Sequence, residues 1–126
     1  MSSVICIAGE SGSGKTTSMR NLDPKTTLYI DCDKKGLSWK GWRKQYSEEN
    51  KNYIKTDYAS AVMTALNKAD TTWKHIKVIV IDTLNGLMVA DEMRRSKEKD
   101  TINGSIWLPV SGIWCVIHMN FVMILQ

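Results

Sequence analysis

At 126 residues, with 43% hydrophobic and 24% charged residues, the chain has room for one domain and the composition of an ordinary soluble protein. Its three cysteines, Cys6, Cys32 and Cys115, are odd in number and widely spaced with no CxxC pair, which argues against a disulfide framework and a zinc site and leaves reduced, packing thiols. A net charge of +4 suits contact with nucleic acid as well as it suits simple solubility, so it selects neither.

In chain order, Val4 to Ala8 is a short branched apolar run that reads as a buried strand. It has no basic stretch ahead of it and leads into glycine, so no signal peptide is expected and the product is expected in the cytoplasm. Lys15 to Leu22 reads as the first helix, ended by Pro24, which lacks the amide another turn would need. Thr26 to Cys32 reads as a second strand, Ser38 to Tyr46 as a short helix rich in Trp and cations, and Tyr53 to Lys55 as a third strand. Asp57 is the expected N-cap of a helix whose face carries Ala59, Val62, Met63, Leu66 and Ala69. Ile76 to Ile81, nearly all β-branched, suits a strand covered on both faces. Leu84, Leu87 and Met88 open a final helix, whose charged stretch from Arg94 to Lys99 reads as a solvated face.

Strands alternating with helices imply an α/β fold, a parallel sheet flanked by helices, with ligands at the carboxyl ends of the strands. The motifs fall there. Gly9-Glu10-Ser11-Gly12-Ser13-Gly14-Lys15-Thr16 satisfies GxxxxGK(S/T) between a strand and a helix, the arrangement of a P-loop, and Thr17 continues it. Its glycines let backbone amides converge on phosphate, Lys15 is expected to bridge the β- and γ-phosphates, and the Thr16 hydroxyl is expected to ligate Mg²⁺. Asp82 ends the Ile76 to Ile81 strand, where a carboxylate can serve the Mg²⁺ shell, cap the following helix, or do both. Asp31 and Asp33 end the second strand, expected beside the P-loop strand; either is a surface turn carboxylate or one orients the attacking water, with Asp33 the choice for that role.

Two other patterns are weighed against function. Asn67-Lys68-Ala69-Asp70 spells the guanine-reading NKxD, but it precedes Asp82 and ends a helix, so ATP is expected rather than GTP. Trp39 and Trp42, among Lys34, Lys35, Lys40, Arg43 and Lys44, would stack a base or pack inward; packing inward is the favoured reading.

With these residues in view, the chain from Val4 to about Lys99 resembles the RecA-like P-loop ATPases, and within them phage-encoded ATP-binding proteins of recombination and single-strand annealing. The P-loop, Tyr29-Ile30-Asp31-Cys32-Asp33 and Val78-Ile79-Val80-Ile81-Asp82-Thr83 carry the likeness. The phage group is matched by Lys34 to Tyr46 and by Asn85 to Arg95. The resemblance implies Asp33 as general base, Asp82 as metal partner, ATP with Mg²⁺ as ligands, single-stranded DNA as a partner and a bacterial host cytoplasm as the compartment.

All 17 Lys/Arg and all 13 Asp/Glu precede Thr101, so residues 1–100 read as the P-loop core and Thr101 to Gln126 as an uncharged apolar tail. Family members continue with a charged helix, a further core strand and a polar sensor residue, none of which is recognisable here. The tail reads as a membrane segment poor in quality, as an unusual core-forming end, or, the favoured reading, as the product of a frameshift. Shifted by two bases, suitable codons for Asp100 to Gly104 spell Tyr-Asp-Lys-Trp, and Met119-Asn120 and Met123-Ile124 are forced to yield Glu and Asp. No membrane association is expected; self-association is, through a bared sheet edge or the tail. Nucleotide binding is expected to outlast turnover, since the sensor would supply donors to the developing γ-phosphate charge. Sequencing the encoding DNA is expected to yield those family words in the other frame; a gene whose codons do not yield them removes the frameshift reading.

Overall fold

The computed structural model describes residues 4–10, 12–95 and 121–125. Its centre is β2 (Thr27–Asp31), buried along its whole length because alternate residues meet different partners. Leu28 and Ile30, with Cys32 just beyond, pack on one face against Val62 and Ala65 of α3 (Ala59–Thr71) and Leu84, Leu87 and Met88 of α4 (Leu84–Arg95). Tyr29 faces the other way, into a cluster with Met19, Leu37, Tyr46, Tyr53 and Val80. β2 runs parallel to β3 (Tyr53–Lys55) on one side and to β4 (Val78–Asp82) on the other, with Asp31 level with Asp82. These elements fall within a residue or two of the bounds read from the sequence.

The sheet order is β1-β5-β4-β2-β3. β5 (Phe121–Leu125) lies antiparallel to both β4 and β1 (Val4–Ala8), so β1, β4, β2 and β3 share one direction and β5 opposes them. This corrects four expectations. Among the described residues β1 is an edge strand, with Ile5 and Cys6 exposed, because β5 occupies the place beside β4 and is the one described strand paired to β1. Cys6 is therefore no packing thiol, whereas Cys32 is buried and its thiol is pushed up to about 12, first by burial and then by Asp31. The strand carrying Asp31 does not adjoin the P-loop strand, and the tail does contribute a strand to the sheet. Thr101 to Asn120, like Cys115, lie outside the described residues.

Local departures have local causes. Instead of one helix over Ser38 to Tyr46 there is a single turn, α2 (Trp42–Gln45), because Gly41 in the left-handed region (φ 83°) interrupts the helical path. Its aromatic residues turn inward as favoured: Trp39 meets Tyr46 at 6.2 Å between ring centres, Trp42 meets Tyr53 at 5.3 Å, and Trp39 Nε1 donates to Gln45 Oε1 at 2.8 Å. The NKxD tetrad lies within α3. No helix among the described residues is long and apolar enough to cross a membrane.

Asp57 is not the N-cap of α3; Tyr58 holds that position without a side-chain bond. The Asp57 carboxylate instead pairs with Lys34 at 3.0 Å and Arg94 at 2.7 Å. Arg94 also donates to the Asp57 carbonyl and lies 3.7 Å from the Tyr58 ring centre, so it clamps the end of α4 to the start of α3 rather than facing solvent alone. The Lys34 hydrogen bond, then Arg94, outweigh desolvation and hold the Asp57 carboxyl below its ordinary value. A carboxyl depressed by folding contributes stability above its unfolded value of about 3.9 and loses it as pH falls through the folded value. Asp57→Asn is therefore expected to cost about 1 kcal/mol or less at neutral pH, with the difference from wild type closing between about pH 5 and pH 2 in urea melts.

Candidate functional site

The turn between β1 and the first helix begins with Gly9 and Glu10, whose carbonyls both point to one side chain. Lys15 Nζ donates to Gly9 O at 2.7 Å and Glu10 O at 2.6 Å, with Ser13 Oγ at 3.4 Å. Ser13 N closes the turn onto Glu10 O at 3.2 Å, and Gly12 (φ 79°) and Gly14 (φ 92°) occupy the left-handed region, where a side chain would be strained. Gly14 is the N-cap of α1 (Lys15–Ser18), which tightens into a 3₁₀ turn over Met19–Asn21, one residue short of the expected end. Ser11 lies outside the described residues.

This loop forms one wall of a cavity of about 540 Å³, to which Gly12, Gly14, Lys15, Thr16 and Thr17 contribute. The opposite wall comes from the carboxyl ends of β2 and β4, with Asp31, Asp33, Asp82 and Thr83, and from the segment Lys35 to Ser38. The glycine loop and the strand-end acids Asp31, Asp33 and Asp82 therefore meet at this cavity, even though β1 and β2 are not neighbours, whereas the NKxD tetrad and the two tryptophans do not line it. Lys15 lines it, but its ammonium is engaged by the loop's own carbonyls; reaching an anion in the cavity means giving up those bonds.

Asp82 receives two short hydrogen bonds on one oxygen. Thr16 Oγ1 and Tyr29 OH each donate to Asp82 Oδ2 at 2.6 Å. A similar phenol bond serves the neighbouring carboxylate: Tyr53 OH donates to Asp31 Oδ2 at 2.6 Å, where the Gly36 amide also donates at 2.8 Å. Asp31 and Asp82 are buried at 3% and 6% exposure, stand level in adjacent strands and, among the described residues, have no cationic side chain paired to them. Burial first, and Asp82's charge next, push the Tyr29 phenol well above its ordinary range; burial and Asp31 do the same to Tyr53. Both phenols thus keep their protons and remain donors.

Asp33 lies beyond the strand end, at the cavity wall. Thr83 Oγ1 donates to Asp33 Oδ1 at 3.0 Å, and the Lys35 ammonium stands 3.5 Å from Asp33 Oδ2. α4 comes so close here that a Cβ on Gly86 would lie 2.0 Å from Asp33 Oδ1. Thr17 meets Ser38 hydroxyl to hydroxyl at 2.6 Å, joining α1 to the segment after β2. Tyr29, Ser38, Thr83 and Gly86 received no role from the sequence. For Tyr29 a signal was present: it precedes Asp31 by two on one strand, so the same face must carry both.

A glycine-rich loop leading into a helix, with its Thr hydroxyl bonded to an acid at the end of a parallel strand, defines an α/β P-loop NTPase fold. A family model described as an AAA domain matches residues 1–125, and the chain belongs to that family of P-loop ATPase domains. No curated protein and no solved structure matches.

The approach of Gly86 makes Asp33 and residue 86 energetically dependent on each other. Gly86→Ala gains about 1 kcal/mol of helix propensity but pushes the Asp33 carboxylate off Thr83. In a double-mutant cycle by urea melts, Gly86→Ala and Asp33→Ala are expected to couple by about 1 kcal/mol or more, with Asp33→Ala relieving the clash.

Proposed function

We propose that the cavity binds ATP with Mg²⁺ and that the chain is a slow ATPase. The observation that carries this reading is the Thr16 to Asp82 hydrogen bond of 2.6 Å at the mouth of the glycine loop. By donating its proton to Asp82, the Thr16 hydroxyl keeps its lone pairs for a cation. Asp82 adds a buried carboxylate whose present donors, the Thr16 hydroxyl and the Tyr29 phenol, are both neutral, so Thr16 and Asp82 form a pair of hard oxygen donors suited to a divalent cation. That pair fits Mg²⁺, which Thr16 and Asp82 would hold and which would offset phosphate charge.

In this reading Gly9, Glu10, Ser11, Gly12, Ser13, Gly14, Lys15, Thr16 and Thr17 hold the phosphates. Lys15 exchanges the Gly9 and Glu10 carbonyls for phosphate oxygens, a trade of neutral acceptors for charged ones that favours the anion. Asp33, fixed by Thr83 and Lys35, takes the proton of the attacking water. Its short side chain keeps that step slow, and among the described residues no arginine lines the cavity. The lack of a lining arginine also disfavours a kinase with an Arg-rich lid.

The finer assignment, a phage-type ATPase of DNA recombination or single-strand annealing working in a bacterial cytoplasm, rests on resemblance. Trp39 and Trp42 lend it no stacking platform, since their rings pack against the core; the cations around them are left for a salt-dependent phosphate contact. Self-association through β1, whose outer edge is unpaired among the described residues, belongs to the same proposal.

Titration of a fluorescent ATP analogue in Mg²⁺ buffer is expected to saturate with wild type and to weaken at least about tenfold with Lys15→Ala, the loss of one charge-assisted contact. Equal binding by the two proteins would remove the site assignment.

A further inference from the structure

Tyr29 is wholly buried in an aromatic cluster that a phenylalanine would fill equally well. Its ring meets Tyr46 edge-on at 5.5 Å, Trp39 at 6.5 Å and Tyr53 in a stack at 6.5 Å, and none of these contacts uses the hydroxyl. A buried hydroxyl is costly unless bonded, and this one is bonded to Asp82 Oδ2, the oxygen that Thr16 also reaches. With two hydroxyl donors converging on a single oxygen, the carboxylate has little freedom to turn about its Cβ–Cγ bond. The Thr16 hydroxyl is fixed along with it, because it has one proton to give and gives it to that same atom.

We propose that Tyr29 is a positioning residue for the metal site, orienting Asp82 and through it the Thr16 hydroxyl so that a divalent cation finds its oxygen donors already placed. The inference rests on the ATP·Mg²⁺ reading and extends it to a residue outside the P-loop and outside the strand-end acids. Two-donor bracing of this kind lowers the reorganisation that metal binding would otherwise require, so its effect belongs to the metal-dependent part of nucleotide affinity. The P-loop's own grip on phosphate does not pass through Asp82 and is left as it was.

The neighbouring tyrosine supplies the control. Tyr53 lies on the same face and donates to Asp31 rather than to Asp82, so Tyr53→Phe removes a buried phenol hydroxyl from the same aromatic cluster without touching the Thr16 to Asp82 pair. The quantity to measure is the ratio of the fluorescent ATP analogue's Kd in EDTA to its Kd in Mg²⁺. Tyr29→Phe is expected to lower that ratio about tenfold while leaving the EDTA value unchanged, and Tyr53→Phe to keep the ratio of wild type.

A wild-type ratio in Tyr29→Phe overturns the proposal, as does an equal loss in both variants, which would mean that the hydroxyls serve only packing. A wild-type chain that binds the analogue with no gain from Mg²⁺, or not at all, removes the underlying reading and this inference with it. Should Tyr29→Phe not fold, the unaltered chain still decides. With its 4 tyrosines labelled at Cζ, one ¹³C resonance is expected to shift when Mg²⁺ joins the nucleotide complex, and no shift overturns the proposal.

Discussion

The structure turns on one carboxylate oxygen. Asp82 Oδ2 accepts from Thr16, at the start of the helix behind the glycine loop, and from Tyr29, in the middle of the central strand. β1 delivers the loop but stands at the sheet edge, separated from β4 by an antiparallel strand. The backbone ladder therefore does not join the P-loop strand directly to the strand carrying Asp82. Side chains do: Thr16 to Asp82, and Thr17 to Ser38 on the far wall. A short bond to a buried carboxylate is well suited to that task, because breaking it would leave a desolvated acceptor without its donor.

The electrostatics of the two strand ends follow from register. Parallel pairing sets Asp31 level with Asp82, and the alternation of β2 turns Asp31 and Tyr29 to one face. Two acids brought together away from water oppose each other, and a lysine beside them would settle the charge inside the fold. Neutral phenols stand there instead, on Tyr29 and Tyr53, each kept protonated by burial and by the acid that it serves. Hydroxyl donors orient the carboxylates, and among the described residues no cationic side chain is paired to either. Asp33, one step farther out, is treated differently: it is exposed enough to take Lys35 as a partner, and Thr83 fixes its other oxygen.

Much of this was legible in the chain. Branched apolar runs marked β2 and β4 because strands covered on both faces need them, and the spacing of Val62 and Leu66, or of Leu84, Leu87 and Met88, marked the helix faces that cover one side. The glycine loop, Thr16 and Asp82 could be assigned to a common site because phosphate chemistry demands that spacing and that context. The loss of the expected helix over Ser38 to Tyr46 was less legible, since a glycine is tolerated within many helices and its residue type alone does not announce the left-handed backbone that Gly41 adopts. Asp57 read as a cap because capping is a local habit of Asp; it lost that role to Lys34 and Arg94, distant in sequence and close in space.

By itself, the sequence determined the α/β P-loop class, the strands that carry acids at their ends and the loop that faces them, since each depends on residue types within a single element. Tertiary structure alone decided that β1 stands at an edge, that Tyr29 braces Asp82, and that Gly86 leaves room for Asp33. Those features join residues fifty or more positions apart, and periodicity carries no information about which distant partner a strand or a hydroxyl will meet.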